Sequence, residues 1–128
     1  MATIKAYTDI SQSKTLSKIL PLESADMYYT PSLIKGHTGY FPHLKRKLPI
    51  DWDIEQAIPC WSLASLLSIL PKNLNIGRPS LESNYKGYYW IQYYDEFMKP
   101  INYKTECFNN PIDACVAMIE KLNGLKLL

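Results

Sequence analysis

Asn109-Asn110-Pro111-Ile112-Asp113-Ala114-Cys115-Val116-Ala117-Met118-Ile119-Glu120-Lys121-Leu122-Asn123-Gly124 spells out a helix from start to stop. The Asn110 side-chain oxygen can cap the free amides, and Pro111 suits the first helical position. Asp113 adds negative charge at the positive end of the dipole. Ile112, Cys115, Val116, Ile119 and Leu122 then recur at the spacing of one apolar face. Gly124 is expected to end the helix in a left-handed cap, with Leu125 folding back onto Ile119. The spacing predicts a helix over 111–123. Folding is written here with care, and nothing comparable is written for chemistry.

Upstream lies the strongest strand, Tyr85-Lys86-Gly87-Tyr88-Tyr89-Trp90-Ile91-Gln92-Tyr93-Tyr94, dense in residues that suit a pleated surface. A turn through Asp95, Glu96, Lys99 and Pro100 leads to Ile101–Phe108, which alternates well enough to return antiparallel. A further helix is marked by Leu63, Leu66, Leu67 and Leu70, with Pro59 ahead of it and Pro71 closing it. Trp61 and Ile69 widen its apolar surface, so it is expected to be the most buried helix. Asp9-Ile10-Ser11-Gln12 has capping-box spacing and opens a helix over about 9–20, ended by Pro21. Residues 23–30 read as a short strand stopped by Pro31. Between Pro31 and Ile58 the signals are weak, with strands suggested through Tyr40-Phe41 and Leu44–Leu48.

Composition narrows the class. At 128 residues, 47% apolar and 20% charged, the chain is expected to fold as one globular domain, 1–128. The fold class is α+β, a small antiparallel sheet packed with about three helices. A net charge of +2 is too balanced to imply a polyanion, so nucleic acid is not favoured as a partner. Three cysteines, Cys60, Cys107 and Cys115, form no paired set, which points to a reduced, cytoplasmic protein. The first residues lack a signal-peptide pattern. The longest strongly apolar run, around Leu63 to Leu70, is far short of the ~20 residues a membrane span needs.

Candidate chemistry is thin. Lys45-Arg46-Lys47 alternates faces in any strand and reads as a solvated edge guarded by lysines. His37 and His43 lack further ligands at metal spacing, so neither a metal nor a cofactor is expected. Asp51, Asp53 and Glu55 can place carboxylates together as a hydrolase would, but such a run also suits a solvated turn. Cys60 beside Trp61 stands near a helix start, which lowers thiol pKa, yet no base accompanies it. No catalytic residue is assigned, and enzymatic activity is not the favoured reading.

Aromatic alternation is the most suggestive pattern. It places Tyr85, Gly87, Tyr89, Ile91 and Tyr93 on one face and Tyr88, Trp90, Gln92 and Tyr94 on the other. Tyrosine suits surfaces with one apolar and one wet side. Tyr85, Tyr88, Tyr89, Trp90, Tyr93 and Tyr94 are therefore the candidate binding residues, for a homodimer or an unidentified protein partner. A stacking platform for a small ligand, sugar or nucleic acid is the alternative. A central strand packed on both sides is the plainer one.

Three segments, Leu20–Tyr29, Ile58–Leu67 and Asn110–Ile119, resemble a family of small uncharacterised proteins from prophages and other mobile elements of gut bacteria. The resemblance implies a bacterial, cytoplasmic accessory protein and carries over no catalytic or binding residue. With the aromatic pattern, it leads to the expectation of a non-enzymatic interaction protein.

Overall fold

The computed structural model describes residues 5–31, 39–44, 57–73 and 75–128. In chain order these form α1 (Ile10–Leu16), a 3-10 turn (Leu22–Ser24), β1 (Met27–Pro31), β2 (Tyr40–Leu44), β3 (Ile58–Cys60) and α2 (Leu63–Ile69). They continue with β4 (Arg78–Ser83), β5 (Tyr89–Tyr94), β6 (Pro100–Lys104) and α3 (Pro111–Gly124). The class is α+β, with three α-helices among the described residues. The strands do not form the single sheet expected; they fall into two antiparallel three-stranded sheets, β2-β1-β3 and β4-β5-β6. Two compact units result, Met1–Ala6 with Leu66–Leu128 and Tyr7–Ser65. His37, Lys45, Arg46, Lys47, Asp51, Asp53, Glu55 and most of the strand expected at 44–48 lie outside the described residues.

In the Tyr7–Ser65 unit, the capping box at α1 forms as its spacing requires. Gln12 N donates to Asp9 Oδ1 at 2.7 Å and Asp9 N donates to Gln12 Oε1 at 3.1 Å. The helix ends at Leu16, earlier than expected, because residues 17–20 continue as turns bonded back to Ser13, Thr15 and Leu16. The strand read at 23–30 begins only at Met27, the 3-10 turn taking its first residues. β3 escaped sequence reading, being three residues long with Pro59 at its centre. Cys60 therefore sits in a strand, not at a helix start. Thr8 ties these pieces together: its amide donates to Trp61 O at 2.9 Å, its carbonyl accepts from Tyr29 Oη at 2.6 Å, and its hydroxyl meets Ser13 Oγ at 2.8 Å. Every buried side-chain nitrogen and oxygen among the described residues finds a partner, the condition for burying such groups without penalty.

α3 seals one face of β4-β5-β6. Its cap is as written, Asp113 N donating to Asn110 Oδ1 at 2.9 Å, and Lys5 pairs with Asp113 at 2.9 Å. Its C-terminus departs from expectation. Gly124 stays helical, Leu125 is an exposed right-handed cap, and Lys126 takes the left-handed conformation at φ 59. Leu127 N then donates to Leu122 O at 2.9 Å, closing the end two residues late. α3 is also the more buried helix, with eight buried residues against Leu66 alone within α2. Leucine spacing predicted a stripe on α2 correctly but not the depth at which it lies.

β4, Arg78-Pro79-Ser80-Leu81-Glu82-Ser83, carries no strand signal in the sequence, being polar and containing proline. An edge position tolerates both. Between β5 and β6 the register slips at Gln92 and Tyr94. The Gln92 amide nitrogen fills the gap, donating to the carbonyls of Tyr93 and Ile101 at 2.8 Å each. A bulge thus keeps its carbonyls satisfied with a side chain.

Cys115 in α3 is fully buried, and burial pushes its thiol pKa up to about 12. Burial likewise raises Tyr29 and Tyr93. These acids hold their protons longer folded than unfolded, so each contributes stability below its unfolded pKa and loses it as pH rises toward the folded one. Stability should fall from about pH 9, by up to about 1.4 kcal/mol per pH unit for Cys115, and more steeply once the tyrosines join above about pH 10. Denaturant unfolding of wild type and Cys115→Ala across this range tests it. Cys115→Ala should lose less stability between about pH 9 and pH 10, the remaining loss there coming from Cys60, whose thiol burial also raises; coincident profiles would refute the assignment.

No helix among the described residues is long and apolar enough to cross a membrane.

Candidate interaction surface

The structure sorts the six aromatic candidates into three groups. Tyr93 is fully buried beneath α3, its hydroxyl donating to Pro71 O at 3.0 Å and its ring meeting Tyr103 edge-on at 5.9 Å. It is a core residue and touches no outside partner. Tyr89 shares that inner face, is half-buried, and forms a two-way backbone bridge with Phe108. Trp90 and Tyr94 lie half-buried on the outer face, the residues opposite them in register being Glu82 and Arg78. Tyr85 and Tyr88 are not on a strand face at all: they belong to the turn before β5 and are 94% and 45% exposed.

The outer face is organised by cross-strand pairs. The Tyr94 hydroxyl donates to the Glu82 carboxylate, which raises the Tyr94 pKa. Lys104 Nζ stands 5.9 Å from the Trp90 ring centre, within cation–π range. Gln92, between the two aromatics, is held by the bulge carbonyls. These partners hold the aromatic rings on a stiff support.

The two hairpin turns flanking β5 are built alike, and this the sequence reading missed. In the first, Asn84 N donates to Tyr88 O, Gly87 N to Asn84 O, and Asn84 Oδ1 accepts from Lys86 N and Tyr88 N. In the second, Asp95 N donates to Lys99 O, Met98 N to Asp95 O, and Asp95 Oδ1 accepts from Phe97 N and Lys99 N. Each is a three-residue loop with an Asx cap and a left-handed last loop residue. Gly87 fills that place at φ 84 in one; Met98 fills it at φ 62 in the other. The signal was present in the parallel between Asn84-Tyr85-Lys86-Gly87-Tyr88 and Asp95-Glu96-Phe97-Met98-Lys99, hidden because methionine stands where glycine is expected.

A left-handed non-glycine residue costs about 1–2 kcal/mol. Replacing Met98 by glycine relieves this but loosens the unfolded chain, so Met98→Gly should stabilise by about 0.5–1 kcal/mol net. Chemical denaturation measures it directly. A loss of stability would mean that the Met98 side chain, whose Sδ lies 3.5 Å from Arg78 Nη2, matters more to the monomer than its backbone strain.

Beside this second turn lies an open pocket of about 320 Å³, walled by Lys72, Asn73, Gly77, Arg78 and Tyr94 and bounded by Asp95 and Glu96. A smaller depression of about 200 Å³ adjoins it, sharing Arg78 and Tyr94 and reaching Met98. Gly77 makes the wall possible. It is buried at φ 88, and any Cβ there would run into the Tyr94 carbonyl. Phe97 and Met98, at the tip of the turn, are 74% and 65% exposed.

Elsewhere the chemistry is sparse. Cys60 and Cys115 are buried, whereas Cys107 is exposed. Burial raises the Cys60 thiol, with hydrogen bonds from Thr8 and Ser13 opposing it, so no activated nucleophile results. Among the described residues no three His, Cys, Asp or Glu side chains gather as metal ligands. No family model, curated protein or solved structure matches the chain.

Proposed function

We propose that this is a non-enzymatic interaction protein that binds a protein partner through the outer face and turns of the β4-β5-β6 sheet. The carrying observation is the set of aromatic side chains held on that sheet by cross-strand bonds, with Tyr85, Tyr88, Phe97 and Met98 presented at its two turns. Large apolar side chains gathered on a monomer's surface mark a place of contact. Aromatic residues with few rotatable bonds lose little entropy when a partner immobilises them. The α3 helix already covers the inner face, so its tyrosines serve the core and the outer ones are left for recognition. The resemblance of Leu20–Tyr29, Ile58–Leu67 and Asn110–Ile119 to small prophage proteins supports a role as a phage- or element-encoded accessory protein in the bacterial cytoplasm.

The test compares wild type with a variant carrying Tyr88→Glu and Trp90→Lys as baits in affinity capture. Lysine at 90 faces Glu82 across the strands, so the fold should survive, as circular dichroism would confirm. A partner retained by wild type and lost by the variant supports the reading. Identical captured sets would exclude this face.

A further inference from the structure

We propose that the Asp95–Lys99 turn is the contact element of a symmetric dimer, in which Phe97 of one copy enters the Arg78–Tyr94 pocket of the other. The inference rests on the sheet being an interaction surface and names its occupant as a second copy of this chain.

Four observations converge on it. Met98 occupies the left-handed place that Gly87 takes in the otherwise matching turn, so a strained residue stands where an unstrained one is available. Strain kept at an exposed position implies that the side chain is wanted there. That side chain and its neighbour Phe97 form an apolar tip that water surrounds in the monomer. Next to the tip, the pocket of about 320 Å³ has room for a phenyl ring, since a cavity of roughly 150 Å³ holds benzene. Its Tyr94 ring and Arg78 guanidinium are the partners an aromatic ring prefers.

Knob and socket therefore belong to a single patch, which is the requirement for a two-fold interface: what one copy offers, the other receives. The rim charges satisfy the same condition. The pocket wall carries both signs, Lys72 and Arg78 together with Asp95 and Glu96, and Glu96 belongs to the knob turn as well. A two-fold axis brings Glu96 of each copy toward Arg78 of the other, so both contacts are attractive. A partner of one charge sign would leave half of this rim unmatched. The patch is small, so the dimer should be weak and populated as concentration rises through the micromolar range.

Sedimentation velocity on the full chain over a concentration series tests it. Wild type should shift from monomer to dimer. Phe97→Ala should weaken association by about tenfold or more at unchanged thermal stability. Met98→Gly should weaken it while raising the melting temperature, a combination that damage to the fold does not produce. Arg78→Glu and Glu96→Arg should each be monomeric, because each sets like charges together at both contacts. Mixed, they should form a heterodimer, since both contacts become opposite-charge pairs again. A wild type that is monomeric throughout, or a mixture that fails to associate, overturns the proposal. The Tyr88→Glu, Trp90→Lys capture experiment is separate. If it loses a different protein while wild type stays monomeric, the dimer fails and the interaction surface stands.

Discussion

Replacing Ile119 by alanine should remove about 2–5 kcal/mol of stability, enough to threaten folding of a domain of ordinary stability. Ile119 is fully buried in α3, among Cys115, Met118 and Leu122, all equally shut from water. Truncation removes three carbons from water-free surroundings and leaves a void that close-packed neighbours fill only in part. The inner face of the sheet beneath α3 has its own fixed geometry: Tyr93 is pinned through its hydroxyl to Pro71 and Ile91 is fully buried. Collapse onto the vacancy is therefore limited, which favours the upper half of the range. Thermal and urea unfolding should both report it. A melting temperature lowered by only a degree or two would mean that the buried stripe contributes little to α3's hold on the sheet. Ile119→Val, which deletes one methylene, should cost about 0.5–1.5 kcal/mol and calibrate the site.

The sequence disclosed α3 almost completely because its signals are local. Asn110, Pro111, Asp113 and the 3.6-residue apolar period act within a few residues of one another. α1 opened at its capping box for the same reason, and the alternation through Tyr89–Tyr94 marked β5. What stayed hidden depends on distant neighbours. β4 is a polar segment with a proline, and it is a strand only because β5 lies alongside it. β3 is three residues long and is defined by its pairing with β1. Gly124 was read as a helix stop because glycine prefers left-handed backbone, yet a helix end is settled by which carbonyls remain unbonded, and Lys126 takes that conformation instead.

The site was legible only in outline. Aromatic crowding pointed to the sheet that carries the proposed surface, but alternation could not say that Tyr93 serves the core, nor that Tyr85 and Tyr88 leave the strand. Phe97, Met98 and Arg78 drew no notice. Their significance lies in a comparison of two turns and in a pocket that β4, unrecognised, helps to form. A surface made from an edge strand and a hairpin tip, as the proposed one is, has no sequence period of its own.

Trp61→Ala should cost about 3–5 kcal/mol, the other large loss expected in this protein. Trp61 lies between β3 and α2 and is fully buried. Its backbone is bonded to Thr8 twice, its amide donating to Thr8 Oγ1 at 3.2 Å and its carbonyl accepting from Thr8 N. Its indole Nε1 donates to Ser24 Oγ at 3.0 Å. Packing and hydrogen bonding both depend on this ring, and two substitutions separate them. Trp61→Phe keeps much of the volume and loses only the indole donor. The Ser24 hydroxyl is not orphaned by that change, because it also donates to Pro21 O, so Phe should cost no more than about 1–2 kcal/mol. Alanine removes the ring outright and opens a void at a position fully shut from water. If Phe proved as damaging as Ala in denaturant unfolding, the indole hydrogen bond would outweigh the burial of the ring. The expected order is the reverse: the volume of Trp61 holds the Tyr7–Ser65 unit together, and its donor fixes the ring's orientation.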